Sequence, residues 1–365
     1  MSRERLLALV PAPRVLATTR FRVEQFAPAL NRAGIELVVR PFLDEEGFAV
    51  LYSQGGALRK IRAAAVAVAR RIGDLVRAQG ATAVLIHREA ALVGPPILEW
   101  AIARALGRPV IFDLDDAIWV PYASPTYGAF LSRLFKSPGK THFTLGAASA
   151  VICGNPYVRD YAARYNAHTT IIPTVVDTEI FRPIQRHNAV PVLGWIGTHS
   201  TVQYLRAILP ALRRLAEQRR FLLRVVGGTL EPSETTGIDV EHRPWALDRE
   251  VGDFQSLDIG LYPVVEDAWS VGKSGFKAIQ YLACGVPVVA SRVGVTADIV
   301  KDGCGFLVDH EDQWVPRLTE LIDDSEKRQQ IAAAGRAEVV ANWSLAAHAP
   351  RFVDVVLSVL NERKA

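Results

Sequence analysis

The chain has 365 residues, 50% of them hydrophobic and 22% charged, with a net charge of +4 and no apolar run that approaches the span of a bilayer. That balance excludes a disordered chain, a collagen-like repeat and a helical membrane protein, and the length suits two or three domains. The three cysteines, Cys153, Cys284 and Cys304, form no C-x-x-C pair, so neither a disulfide framework nor a structural zinc site is expected and a cytoplasmic location follows.

Charge is uneven along the chain. Through Arg182 there are 22 Lys and Arg against 15 Asp and Glu, a net of +7, which leaves 20 against 23, a net of −3, for the remainder. Residues 6–10, LLALV, are stopped by Pro11 and Pro13; they are too short for a signal-peptide core and read as a first strand. A loop then leads to a helix in which Val23, Phe26 and Leu30 recur at helical spacing and Gly34 marks the end. Arg20 and Arg22 fall at this junction, where open α/β folds bind ligands, and either meet a phosphate or carboxylate or stand in solvent.

Leu58, Ile61, Ala65, Val68, Ile72 and Leu75 form an apolar seam on a long helix with Arg59, Arg62, Arg70 and Arg77 on its flank. The flank suits anionic lipid, but the run has no Trp or Phe to insert, so the seam is expected to face the core and the arginines the solvent. Two strand-like runs, 83–87 and 109–112, then frame the helical ILEWAIARALG, and the second leads into DLDDAIWVPY. Asp113, Asp115 and Asp116 repel one another at a strand's carboxyl end and call for a partner: a metal, an arginine or a shared proton. A catalytic or sugar-binding acid, a metal ligand and a turn or helix cap all fit; His87, near the same edge, reads as a hydrogen-bonded structural histidine.

Strands follow at Val151 and Ile152 and at Ile171 and Ile172. Pro173 and Pro183 bracket a turn-rich segment before a new apolar strand, 190–196, restarts the alternation, which puts a linker near 181–189. In LGWIGTHSTVQYL a strand passes through a glycine turn into a helix. Ser200 and Gln203 there spell a capping box, and Gly197 leaves room for a ligand to approach. The stretch 270–290, SVGKSGFKAIQYLACGVPVVA, reads as a loop, a helix from Phe276 to Ala283 and a buried strand after Gly285 and Pro287. Lys273 and Lys277 stand four apart at the helix start, where backbone N–H groups already carry partial positive charge. A diphosphate held by those N–H groups, the Ser274 hydroxyl and both ammoniums accounts for them; the alternative is two solvated surface lysines. A doubly wound parallel sheet in each half follows, with the ligand between them.

The order IPTVVDTEIFRP, GWIGTHS and KSGFKAIQYLACGVPVVASRVGVTADIVKDGCGFLVDHED resembles the carboxyl domain of the retaining family-4 (group 1) glycosyltransferases. The resemblance covers nearly the whole chain and is strongest over 171–312. It implies an α/β protein of the GT-B fold, two Rossmann-like doubly wound parallel-sheet domains facing a central cleft. Acceptor binding then falls to residues 1–183, nucleotide-sugar binding to 184–345, and 346–365 form a helix crossing back to the first domain. The chain departs from the family pattern in a coordinated way. The two family glutamates fall on Gly272 and Gln280, the phosphate-binding Arg and Lys on Thr198 and Gln203, and the catalytic histidine on Asp115, with Asp116 at the following acid. The first-loop glycine pair is replaced by Thr18, Thr19, Arg20 and Arg22.

What the resemblance implies is transfer of a sugar from a nucleotide diphosphate-sugar to an acceptor hydroxyl with retention, in cell-surface polysaccharide or glycolipid synthesis, with the nucleotide-sugar as co-substrate and no cofactor or required metal. Catalytic candidates are Asp115, Asp116 and Lys273. Donor-binding candidates are Gly197, Thr198, His199, Ser200, Trp245, Ser274, Gly275, Phe276, Lys277 and Gln280, with Gln280 on the ribose and Trp245 either beside the base or in the core. Arg20, Arg22 and Trp119 are the acceptor candidates, for a saccharide or lipid-linked saccharide. A peripheral contact with the anionic inner membrane face is expected, and no nucleic acid. A nucleotide-sugar epimerase or phosphorylase on the same fold, or a catalytically silent nucleotide-sugar-binding protein, are the alternatives.

Overall fold

The computed structural model describes residues 3–53, 56–92, 94–120, 138–185 and 188–362. The chain divides into two compact units, Met1–Thr174 with His348–Ala365, and Val175–Ala347. In the first unit the strands are β1 (Glu4–Val10), β2 (Ile35–Pro41), β3 (Ala83–His87), β4 (Val110–Leu114), β5 (Ala150–Cys153) and β6 (Thr169–Ile171). They pair in parallel in the order β2-β1-β3-β4-β5-β6. β1, β3 and β4 are almost uninterrupted apolar runs because helices cover both faces of a parallel sheet.

The second unit repeats the plan with β7 (Val192–Ile196), β8 (Leu222–Val226), β9 (Val240–Arg243), β10 (Ile259–Tyr262), β11 (Val288–Ser291) and β12 (Gly305–Val308). The order β12-β11-β10-β7-β8-β9 is again all parallel, and its direction of winding reverses between β7 and β10. At such a reversal the loops leaving adjacent strands splay apart and open a crevice at the carboxyl edge.

The division between units falls earlier than the proline-bracketed linker suggested. Val176 already bridges Ser344, its N–H donating to the Trp343 carbonyl at 3.2 Å, and Phe181 packs edge-on against Phe254 at 6.1 Å, so residues 175–183 belong to the second unit. The last helix, Leu345–Glu362, joins the first unit from His348 onward, where Phe352 stacks on Phe26 with ring centroids 4.1 Å apart. Among the described residues no helix is long and apolar enough to cross a membrane.

The long helix α1 (Ala57–Gln79) reverses its expected orientation. Of the seam, only Val68 and Leu75 pack inward, against the clusters that contain Phe42 and Ile86. Leu58 is 83%, Ile61 65% and Ile72 55% exposed. The face turned to the sheet is instead Ala67, Arg71, Asp74 and Ala78. Arg71 is tolerated there because it donates to the Arg40 carbonyl at 3.0 Å, the Val10 carbonyl at 2.9 Å and Asp74 at 3.2 Å, while Arg40 reaches Asp74 at 2.9 Å. A buried cation held through both Nη atoms by three acceptors fixes the face it sits on, and the aliphatic stripe is left outside.

Candidate functional site

The second unit's candidates gather at the carboxyl edge of its sheet. β7 leads into the turn 197–201, from which α2 (Val202–Ala216) departs. The capping box of Ser200 and Gln203 is not made. Thr201 is the N-cap residue, its hydroxyl accepts from the Thr198 N–H at 3.0 Å, and Ser200 meets the Thr198 hydroxyl at 2.8 Å, because Ser200 lies inside the turn. Thr198 and His199 are exposed. Gly227, at φ 78°, brings its backbone so close to the Gly197 carbonyl that a Cβ would collide with it, and that Cβ would also lie 3.1 Å from Cβ of Trp245. Gly197, Gly227 and Trp245 therefore meet at this edge, with Trp245 half-buried.

After β10 the chain makes a tight turn, Ser270–Gly272, then an extended Lys273, and Gly275 in the left-handed region at φ 63° starts α3 (Phe276–Ala283). Gly275 is required there: a Cβ would strike Ile299. The N-cap position of α3 is Gly275, which has no side chain to cap the helix. Lys273 precedes the helix rather than sharing a face with Lys277, which corrects the i, i+4 expectation; the glycine turn intervenes. Each ammonium is held on an aromatic face: Lys273 Nζ lies 4.3 Å from the Tyr204 ring centroid and Lys277 Nζ 5.0 Å from that of Phe254. Tyr204 belongs to α2, after β7, so its contact with Lys273, after β10, places the lysine at the reversal of the sheet. A cavity of about 630 Å³ opens beside it, lined by Tyr204, Pro263, Ser291 and His310 among others.

Gln280 does not present itself to a ribose. It is fully buried, Lys277 Nζ donates to its Oε1 at 2.8 Å, and its Nε2 has no partner among the described residues. A buried neutral amide satisfies the ammonium without cancelling its charge, which a glutamate at this position would do.

In the first unit the acid run meets arginines, one of the three partners its repulsion called for. Asp113 is fully buried inside β4, accepts from Arg22 Nε at 3.2 Å and from Arg22 Nη2, and lies 2.6 Å from His87 Nδ1. Arg22 also donates to the Ile172 carbonyl at 2.7 Å and is 1% exposed. Arg22 is thus corrected from an acceptor ligand to a core ion pair; with its charge matched by Asp113, it has no path to solvent. Arg20 is buried too, its guanidinium 4.9 Å from the Phe21 ring centroid. His87 is a buried, bonded histidine as expected, although its Nε2 has no partner among the described residues.

Arg88 was not singled out from the sequence, yet it organises the edge. It is the one non-glycine residue at positive φ, 60°, among the described residues. From that conformation it donates to both Asp115 oxygens, at 2.6 and 2.8 Å, and to Asp116. Asp115 is 2% exposed, so the expectation that it faces a sugar is corrected: its carboxylate is turned into the unit and closed off by Arg88. Asp116, 18% exposed, is the acid of the run that reaches the surface. Trp119 is half-buried and stacks on Tyr161, centroids 3.7 Å apart and planes 4° apart.

Burial alone would raise the Asp115 carboxyl, but the charge of Arg88, with smaller help from His87, holds it well below the usual carboxylate range. A folded-state value below the unfolded one, about 3.9, means that its stabilisation is complete above about pH 4 and is lost as pH falls further. In Arg88→Met the sign reverses: the buried, unpaired acid titrates above its unfolded value and penalises folding more as pH rises. The gap in melting temperature between wild type and Arg88→Met should therefore be widest at neutral pH and narrow as pH falls towards 4. A gap constant over that range in differential scanning calorimetry would show that Asp115 is not the group Arg88 compensates.

Two units, each a six-stranded all-parallel sheet with ligand-type loops at its carboxyl edge, define the GT-B fold. Residues 190–324 match the family model of group 1 glycosyl transferases. The chain is 28% identical over 232 residues to the D-inositol 3-phosphate glycosyltransferase of Corynebacterium diphtheriae, covering 55% of this chain and 53% of the relative. It is 25% identical over 215 residues to a GDP-mannose-dependent alpha-(1-6)-phosphatidylinositol dimannoside mannosyltransferase of Mycobacterium tuberculosis, covering 54% and 55%. The chain spans about half the length of these curated relatives. Among solved structures, a glycosyltransferase from Rickettsia africae matches with a TM-score of 0.67 at 13% identity over 99% of each chain. Anabaena Alr3699/HepE, solved with UDP-glucose, matches with a TM-score of 0.66 at 15% identity over 97% of this chain and 99% of that one.

Proposed function

We propose that this protein transfers a sugar from a nucleotide diphosphate-sugar to an acceptor hydroxyl with retention at the anomeric carbon. The observation that carries the reading is the start of α3, a helix N-terminus opened by Gly275, with Lys277 in its first turn and Lys273 just before it, at the reversal of the second sheet. The M. tuberculosis relative is named for GDP-mannose and HepE was solved with UDP-glucose, which favours a nucleotide diphosphate-sugar as the donor class. The acceptor oxygen attacks the anomeric carbon from the side the diphosphate leaves, the bond from that carbon to the phosphate oxygen breaks, and the departing phosphate takes the acceptor proton. Lys273, Lys277 and the α3 N–H groups stabilise the charge that develops on the diphosphate, a role that needs no metal. Gly197, Thr198, His199 and Ser200 border the donor and Trp245 flanks its base. In the first unit Asp116 is the acid at the surface available to substrate, while Asp115 positions Arg88. The acceptor is a saccharide or lipid-linked saccharide, recognised in part by Trp119, and the product belongs to cell-surface polysaccharide or glycolipid synthesis.

A catalytically silent nucleotide-sugar-binding protein is the second reading, favoured by the closed-off Asp115. A thermal-shift screen against UDP, GDP, ADP, TDP and their sugar conjugates, with and without EDTA, tests the donor site, since a ligand that binds only the native state raises its stability by mass action. One nucleotide should stabilise the protein with EDTA present and fail to do so in Lys273→Ala and Lys277→Ala. No shift with any nucleotide, or a shift that EDTA abolishes, rejects the cradle. Nucleotide release that begins only when acceptor is added separates the transferase from the silent binder.

A further inference from the structure

The outward stripe of α1 is accounted for by neither the core nor the donor site. Leu58, Ile61, Ala65, Ala69, Ile72 and Val76 repeat at intervals of three and four, all exposed, opposite the buried Ala67, Arg71, Asp74 and Ala78. At 1.5 Å per residue the stripe is about 27 Å long. Its two borders differ. On one side run Arg59, Arg62, Arg70 and Arg77; on the other, Val68 and Leu75 pack in clusters with Leu98, so the helix Ile97–Trp100 lies alongside. That neighbour exposes Ile97 by 64% and Trp100 by 51%, which supplies the aromatic group that α1 itself lacks.

The charge on α1 itself is one-sided. α1 carries six cations and one acid. Asp74 is 1% exposed and is committed to Arg71, Arg77 and Arg40, while Arg70 pairs with Asp44 at 2.6 Å. Arg59 and Arg62, both exposed, have no acidic partner among the described residues. Between α1 and the helix Glu45–Tyr52 a groove of about 420 Å³ brings Arg59, Arg62 and Arg70 together over Val50 and Val66, against Asp44 and Glu46.

We propose that this face is a docking surface for an anionic lipid bilayer: the aliphatic stripe with Ile97 and Trp100 enters the interfacial layer, and Arg59 and Arg62 meet the headgroup phosphates. A second copy of the chain is a poor occupant. With stripe laid on stripe, α1 would set its cations against those of the other copy, because the only acid of α1 is buried. The proposal stands on α1 and its neighbour and does not depend on the donor reading.

Flotation of the full chain with vesicles tests it, using phosphatidylcholine alone and phosphatidylcholine with about one third phosphatidylglycerol. The wild type should float with the anionic vesicles, weakly or not at all with the neutral ones, and less as salt rises. Ile61→Asp and Ile72→Asp replace exposed side chains, should leave the melting temperature and any nucleotide-induced shift unchanged, and should each reduce anionic-vesicle binding about tenfold or more. If either fails to fold, Ala65→Asp takes its place. Arg59→Glu combined with Arg62→Glu should remove the preference for anionic over neutral vesicles. The proposal is overturned if the wild type does not float with anionic vesicles, if the Asp variants float as well as it does, or if neutral vesicles bind equally. It is overturned in favour of a second copy if sedimentation shows a dimer that Ile72→Asp dissociates.

Discussion

Replacing Arg22 with methionine is expected to destabilise the first unit by about 3–5 kcal/mol, the range for removing one partner of a buried ion pair. Arg22 is 1% exposed and Asp113 and His87 are fully buried, so no water can replace what is lost. The substitution leaves Asp113 with His87 Nδ1 at 2.6 Å and leaves the Ile172 carbonyl without the 2.7 Å donor it has now. For a domain of this size each kcal/mol moves the midpoint by about 2–4 °C, so the transition of the first unit should fall by roughly 6–20 °C. Asp113→Asn in the Arg22→Met background should recover part of the loss, because a buried amide costs less to leave unpaired than a buried carboxylate. Calorimetry of the two variants decides it. A single variant within about 0.5 kcal/mol of wild type, the usual size of a surface change, would mean the pair is not what holds β4 to the segment carrying Arg22.

That pair also marks how far the sequence can be read. The strands were legible because a parallel strand covered on both faces has to be an apolar run, and the turn into α3 because glycine is the residue that takes the left-handed conformation before it without strain. The partners were not. Arg22 and Asp113 are 91 positions apart, and nothing local to either announces the other. Arg88 stands next to His87 and reads as an ordinary surface arginine; its role comes from a backbone conformation that sequence pattern does not encode. In α1 the period was right and the face wrong, since periodicity separates two faces without saying which one is buried. The cue lay in Arg71 and Asp74, three apart on the side opposite the stripe, but it becomes decisive only with Arg40 from β2 beside them. Tyr204 and Phe254, which seat the two lysines, were missed for the same reason: each lies on a helix far in sequence from the lysine it holds.

The second large effect concerns Gln280, which stands where the glycosyltransferase pattern this chain resembles has a glutamate, and its neighbour Lys277. If Lys277 neutralises a departing diphosphate, Lys277→Ala should lower turnover at saturating donor by about 100-fold or more, the scale for losing one preorganised charge-stabilising donor. Lys273→Ala should act similarly, whereas Tyr204→Leu, which keeps the charge and removes only the ring under it, should cost much less. Gln280→Glu is the sharper test because it restores the acid of that pattern. In this chain Oε1 of Gln280 lies 2.8 Å from Lys277 Nζ inside a fully buried site. A carboxylate there would take the lysine as its counter-ion and set negative charge near the anion's seat, so both nucleotide affinity and turnover should fall, towards the level of Lys277→Ala. The double variant Gln280→Glu with Lys277→Ala should then lose little beyond either single one, since both remove the same positive charge. Should Gln280→Glu instead bind the nucleotide as tightly as wild type and turn over faster, the position would be serving the donor directly, and the two-lysine cradle would have to be abandoned.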